Sequence, residues 1–124
     1  MNRQEALDKA YLGLMDQGLP SVDEYGECAY RSPYGLKCII GMLVDDDTAE
    51  VWDSEYDSSI GRVQIPDKYD WISTNMEFFN NMQELHDFLR LIEDQKYFRF
   101  TLTVISNMLA KKYGLTVPIW EEKE

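Results

Sequence analysis

Three side chains in this sequence could do covalent or metal chemistry: Cys28, Cys38 and His86. The two cysteines flank a Ser-Pro-Tyr-Gly turn, and the apolar run Ile-Ile-Gly-Met-Leu-Val follows Cys38 at once. A thiol is a nucleophile only as thiolate, which needs a nearby base or a positive neighbourhood. Arg31 and Lys37 flank the turn and could supply the charge; His86 could supply the base. Cys38 is the better candidate, because a short helix can begin there and a helix N-terminus favours thiolate. The plainer reading is structural. Cysteine is commonly a small buried hydrophobe, and His86, set beside Met82, Leu85 and Leu89, suits a boundary position bonded to backbone or carboxylate. Zinc fits poorly: the spacing is C-x9-C, there is one histidine, and Asp87 completes a ligand set only on paper. No metal or other cofactor is expected.

The second stretch with chemical character runs from Asp45 to Asp57. It holds seven acids and no base, with Val51, Trp52 and Tyr56 interleaved. A calcium loop of the EF-hand type is excluded by position, since a start at Asp45 or at Asp53 puts neither glycine sixth nor glutamate twelfth. Acids that steer and rings that anchor suit a recognition surface. Crowded carboxylates repel, and a partner with a Lys/Arg groove would relieve that repulsion. Asp45, Asp46, Asp47, Glu50, Trp52, Asp53, Glu55 and Asp57 are therefore the candidate contact residues, against the plain alternative of a solvated loop. No glycine-rich phosphate loop, G-x-S-x-G elbow or deaminase zinc pattern is present.

The elements that would position these residues are mostly helical. Asn2 and Glu5 make a capping box for a helix over Arg3 to Gln17, with Gly18 and Pro20 beyond its end. Pro33, Tyr34 and Gly35 suit a three-residue hairpin loop, pairing Ser32 with Leu36 and Tyr30 with Cys38. That register puts both cysteines on one face but diagonally, roughly 7–8 Å apart and at the limit for a disulfide. After Cys38 a short helix is favoured over a strand, with Gly41 allowing a close approach. Gly61 to Ile65 is a candidate extended piece and Pro66-Asp67 a turn. Thr74 and Glu77 suggest a boxed helix from Asn75 to Ile92. A last helix runs from Gln95 to Tyr113, ended by Gly114, with Thr116 to Trp120 extended and residues 121–124 fraying. The expected core is Leu7, Tyr11, Leu14, Ile39, Leu43, Phe79, Met82, Leu85, Leu89, Leu102, Ile105 and Leu109.

Size and charge bound the rest. The 124 residues, 44% of them hydrophobic, suffice for one domain with a real core. The net charge of −11 repels phosphate backbones, so direct nucleic-acid binding is not expected. The chain opens into an amphipathic segment rather than an apolar signal core, and its longest apolar run is too short for a membrane span. Two cysteines in such a chain point to reduced thiols in the cytoplasm.

The residues Cys28, Tyr30, Arg31, Gly35, Lys37, Cys38 and Gly41, followed by Asp45 to Asp47 and by Leu85-His86-Asp87, resemble a pattern in small uncharacterised proteins of phages and prophages. That pattern is C-x-Y-R, a short turn, G-x-K-C-x-x-G, then acids and a helical L-H-D. The resemblance covers about half the chain and implies a phage setting, where small acidic proteins act on host machinery, including defence nucleases, in the anti-CRISPR manner. The expectation is an α+β fold: a mostly helical single domain, 1–124, with three main helices and a small β-hairpin. The expected function is a non-enzymatic acidic binding protein, a phage-encoded inhibitor that occupies the basic surface of a host nuclease or other nucleic-acid-binding protein. The rival is a small Cys-dependent enzyme or redox protein using Cys38 and His86.

Overall fold

The computed structural model describes residues 1–122; Lys123 and Glu124, the end of the segment expected to fray, lie outside the described residues. Helix α1 spans Arg3–Gln17, and Asn2 and Glu5 exchange the two hydrogen bonds of a capping box. Its Leu7, Ala10, Tyr11 and Leu14 are buried. Helix α2 spans Asp46–Asp53, α3 is a single turn over Asp70–Ser73, α4 spans Met76–Asp87 and α5 spans Gln95–Tyr113. Two 3₁₀ turns, Gly41–Leu43 and Asp67–Tyr69, complete the regular structure. One hydrophobic cluster draws on all five helices and on the segment from Tyr30 to Val44. Trp52, Phe78, Phe79 and Phe98 are its largest fully buried members. Each such side chain contributes roughly 1.5–3 kcal/mol by leaving water.

The α+β expectation is wrong. Helices make up 52% of the chain, and no strand or sheet occurs among the described residues. The Ser-Pro-Tyr-Gly turn does form: Gly35 has φ 80°, and the Ser32 N–H reaches the Leu36 carbonyl at 2.9 Å. The ladder then stops after one bridge, Arg31 opposite Lys37, and a second isolated bridge joins Val22 to Cys28. Tyr30 does not pair with Cys38. Its N–H donates to Asp53 Oδ1 at 2.9 Å, and the Arg31 N–H donates to Asp53 Oδ2 at 3.0 Å. The Lys37 N–H and carbonyl are taken by the Gln17 side chain, and Ser21 Oγ donates to the carbonyls of Ala29 and Leu36. Helix and loop side chains thus satisfy the backbone groups that a hairpin would have paired, so no ladder is needed.

Arg31 closes the same assembly from the other side. Its guanidinium donates to the carbonyls of Tyr30, Gly41 and Val44 and to Asp46. Gly41 is required there: a Cβ would stand 2.4 Å from the Tyr30 carbonyl oxygen.

Other boundaries move. Asp45 to Asp53 is no loop but the capped helix α2. Gly61 to Ile65 is a turn running into irregular chain, with no strand pairing. The boxed cap at Thr74 is absent, because Thr74 ends α3 with its Oγ1 donating back to the Asp70 carbonyl, and Asn75 at the cap position turns its side chain to the Trp71 carbonyl and Arg3 instead of the first turn of α4. Helix α4 ends at Asp87 rather than Ile92, in a tight turn where the Leu89 N–H bonds the His86 carbonyl at 2.9 Å. Ten of the twelve expected core residues are buried; Leu85 and Ile105 are partly buried. The chain after α5 is held to α1: Thr116 exchanges two hydrogen bonds with the Gln4 side chain, and Trp120 Nε1 donates to Asp16 at 2.9 Å. No helix among the described residues is long and apolar enough to cross a membrane.

Asp53→Ala strands two backbone donors and is expected to cost roughly 2–4 kcal/mol in urea unfolding, with Asp53→Asn intermediate. Asp47→Ala, on the exposed face of α2, is expected to stay within about 0.5 kcal/mol.

Candidate functional site

All three candidates of the first chemical stretch, but only Asp53, Glu55 and Asp57 of the eight in the second, meet in one cleft of about 910 Å³ between the loop over 23–33, the C-terminal end of α2 and α4. Its wall includes Cys28, Cys38 and His86 together with Asp53, Glu55 and Asp57. The spacing of α4 explains the far side. Gln83, His86 and Asp87 stand three to four residues apart and share a helix face, and Arg90 joins them from the turn after α4. Gln83 locks that face to the rest: its amide donates to Tyr30 Oη at 3.1 Å and accepts from the Ile60 N–H at 2.8 Å. Tyr30 in turn packs edge-on against Trp52 at 5.1 Å.

The thiols and the imidazole are all held uncharged. Cys38 is 5% exposed, and burial pushes its thiol up to about 12, overriding the N–H of Gly41, which bonds the sulfur at 3.3 Å, and that of Ile40. Burial also pushes the Cys28 thiol well above its ordinary range, and its hydrogen bond to Asp87 adds to the effect. Both cysteines are free. His86 is 3% exposed rather than at a boundary, and burial lowers its pKa to about 4. Its Nε2 is buried without a hydrogen-bond partner. A Cys-His nucleophile works as thiolate beside imidazolium; here desolvation opposes both charges. No group of three or more His, Cys, Asp or Glu side chains among the described residues is arranged to hold a metal ion.

The acidic stretch divides into three roles. Asp45 caps α2 by accepting from the Thr48 N–H at 2.7 Å, and it also bonds Tyr69 and Lys68, which hold its carboxyl below the ordinary range. Asp46 and Asp47 lie in the first turn, where the helix dipole favours negative charge. Much of the acid crowding therefore has a helix-building reason, and repulsion within the stretch does not by itself call for a partner. Trp52 is 1% exposed, with Nε1 donating to the Gln64 carbonyl, so it is core and not a contact residue. Asp53 is the internal clamp; burial raises its carboxyl against the two N–H donors that lower it. Asp47, Glu50, Glu55 and Asp57 remain exposed, and Asp46 is exposed while bonded to Arg31. Of these, Glu55 and Asp57 face the cleft mouth with the fully exposed ring of Tyr56.

Sequence reasoning missed Asp23 and Glu27, which the 21–38 loop brings to the opposite rim, and Asp87 as a cleft carboxylate. Asp87 was findable from its place on the helix face of His86; Asp23 and Glu27 had no local signal. In all, six carboxylates and two guanidiniums line the cleft. One of the two, Arg31, is already committed to three backbone carbonyls and Asp46. No protein-family model, curated protein or solved structure matches this chain.

Two outcomes follow from the buried groups. Thiol labelling at neutral pH is expected to be slow for Cys38, to accelerate sharply in denaturant, and not to respond to His86→Leu; rapid labelling that slows in this variant would establish an activated pair. For pH, the folded value of His86 lies below its unfolded value of about 6.5, so between the two the unfolded chain binds a proton the native chain refuses. Stability from this group is full above that window and falls by roughly 3 kcal/mol as pH drops through it. Asp53 and Asp87, both raised, act in the opposite sense and offset part of the loss. The fall in thermal midpoint from about pH 7 to about pH 4.5 is expected to shrink by about half or more in His86→Leu. At pH 7 that variant is expected to be as stable as the parent or more so, since it removes an unpaired polar atom.

Proposed function

We propose that this protein is a non-enzymatic binding protein whose acidic cleft receives arginine or lysine side chains of a protein partner. The observation that supports it best is the cleft's lining: six carboxylates against two guanidiniums, with Glu27, Glu55 and Asp57 exposed at the mouth. Carboxylates in a concave, partly desolvated wall attract a cation more strongly than the same charges spread over a flat surface. Guanidinium also stacks on aromatic rings, and Tyr56 offers an open one beside those acids. The setting we propose is the cytoplasm, in keeping with the free thiols. The partner class is the basic groove of a nucleic-acid-binding or defence protein, with carboxylates taking the places of phosphates. The phage-type resemblance of the Cys28 to Gly41 stretch points the same way.

The rival, a Cys38 enzyme or redox protein, draws on one observation: Cys38 and His86 line the same cleft. It needs thiolate at neutral pH, and the burial of both groups works against that.

A nona-arginine peptide titrated into isotope-labelled protein at low salt is expected to shift the backbone amides of Glu27, Cys28, Glu55, Tyr56 and Asp87 first. Glu27→Lys with Glu55→Lys is expected to weaken binding about tenfold or more with little change in thermal midpoint. Glu77→Lys with Glu121→Lys makes the same change in net charge away from the cleft and is expected to weaken it much less. Equal weakening by both pairs would show that net charge alone is at work and overturn the cleft as the site.

A further inference from the structure

The side of α5 that faces away from the core carries an apolar stripe among exposed Lys96, Asn107, Lys111 and Lys112. Phe98, Leu102 and Leu109 are buried, whereas Tyr97, Phe100, Val104 and Met108 are 58%, 66%, 43% and 58% exposed. At 100° per residue these four fall in one stripe about 80° wide, centred about 135° from the buried three, with Lys111 at its end. Exposed Phe88 extends the stripe across a groove of about 240 Å³ that it lines with Leu85, Met108 and Leu109, with Glu84 and Lys112 also on its wall. Together these side chains leave on the order of 500 Å² of contiguous apolar surface, at the upper end of what a monomer exposes without use.

We infer that α5 is a self-association face, on which a second copy of this chain docks antiparallel about a twofold axis. Charge order along the helix favours that occupant and that direction. Glu93 and Asp94 precede α5, Lys111 and Lys112 end it, and no acid lies within it. An antiparallel pair that sets Tyr97 against Met108 of the second copy also sets Asp94 against its Lys111 and Glu93 against its Lys112. A parallel pair stacks acid on acid and base on base. On a chain of net charge −11, two copies repel less along α5, which holds no acid and exposes Lys96, Lys111 and Lys112, while Arg99 is turned away onto the Met15 carbonyl and Trp120. In the antiparallel register the Tyr97 ring enters the Phe88–Met108 groove of the other copy, twice by symmetry. The pair would bury on the order of 1,000 Å², the lower end for specific interfaces, so a micromolar dimer is expected. This face is separate from the acidic cleft and does not depend on its reading.

Sedimentation equilibrium from about 5 to about 200 µM is expected to show a monomer–dimer equilibrium, weakened tenfold or more by Phe100→Asp. Phe100 is exposed, so the variant is expected to keep its thermal midpoint, which checks that it folds. Direction is read by oxidative cross-linking. Tyr97→Cys mixed with Met108→Cys is expected to give a covalent dimer that neither variant gives alone. Like positions stand about 16 Å apart along an antiparallel pair. Cross-linking of each variant with itself would overturn the antiparallel arrangement. A monomer throughout the range, or association indifferent to Phe100→Asp, would overturn the self-association face and leave the stripe to a different partner.

Discussion

A long irregular segment can enter a hydrophobic core only if its backbone polar groups are satisfied, and here one carboxylate and one guanidinium do most of that. Asp53 takes the N–H groups of Tyr30 and Arg31, while the Arg31 side chain donates to the carbonyls of Tyr30, Gly41 and Val44. The two charges sit close and half-buried, each multiply hydrogen-bonded, which is the arrangement in which desolvation of an ion is offset. Tyr30, Ile39, Ile40 and Leu43 reach the core because of it. So does the alignment of α2 with the loop, since Asp53 ends α2 and Asp46 begins it.

The same clamp shapes the cleft. Fixing Tyr30 and Arg31 against α2 leaves Cys28 and Cys38 facing α4, where Gln83 ties Tyr30 to Ile60. The wall that results is buried at its base, where Cys38 and His86 lie, and acidic at its rim. Desolvation then sets the chemistry: it keeps thiols protonated and the imidazole neutral, and leaves the rim carboxylates as the charges a visitor meets. Proximity of sulfur and imidazole, which suggests catalysis on paper, has the opposite electrostatic sign once burial is included.

Helix α4 separates two surfaces of different character. Its Gln83, His86 and Asp87 face the acidic cleft, while Leu85 and Phe88 face the apolar groove against α5. A cation-seeking surface and an apolar, locally basic one on either side of one helix can act at once, so a dimer would present two clefts without obstructing either wall. Two linked sites raise effective affinity for a partner with repeated basic segments.

Local chemistry determined the elements that need only near neighbours. The capping box of α1, the turn at Gly35, the close approach at Gly41 and the span of α5 with its glycine stop were legible in the sequence, because each rests on residues within a few positions of one another. The single histidine and the acidic stretch were visible as types but not as roles. Only the tertiary structure decided that Trp52 is core, that Asp53 bonds a loop more than twenty residues away, that the hairpin never becomes a ladder, and that Asp23, Glu27 and Asp87 join Glu55 and Asp57 around one cleft. The physical reason is the range of the competing interactions. Caps and turns are won locally, whereas backbone donors bond whichever acceptor the packing brings to them, and a group's charge is set by its final distance from water.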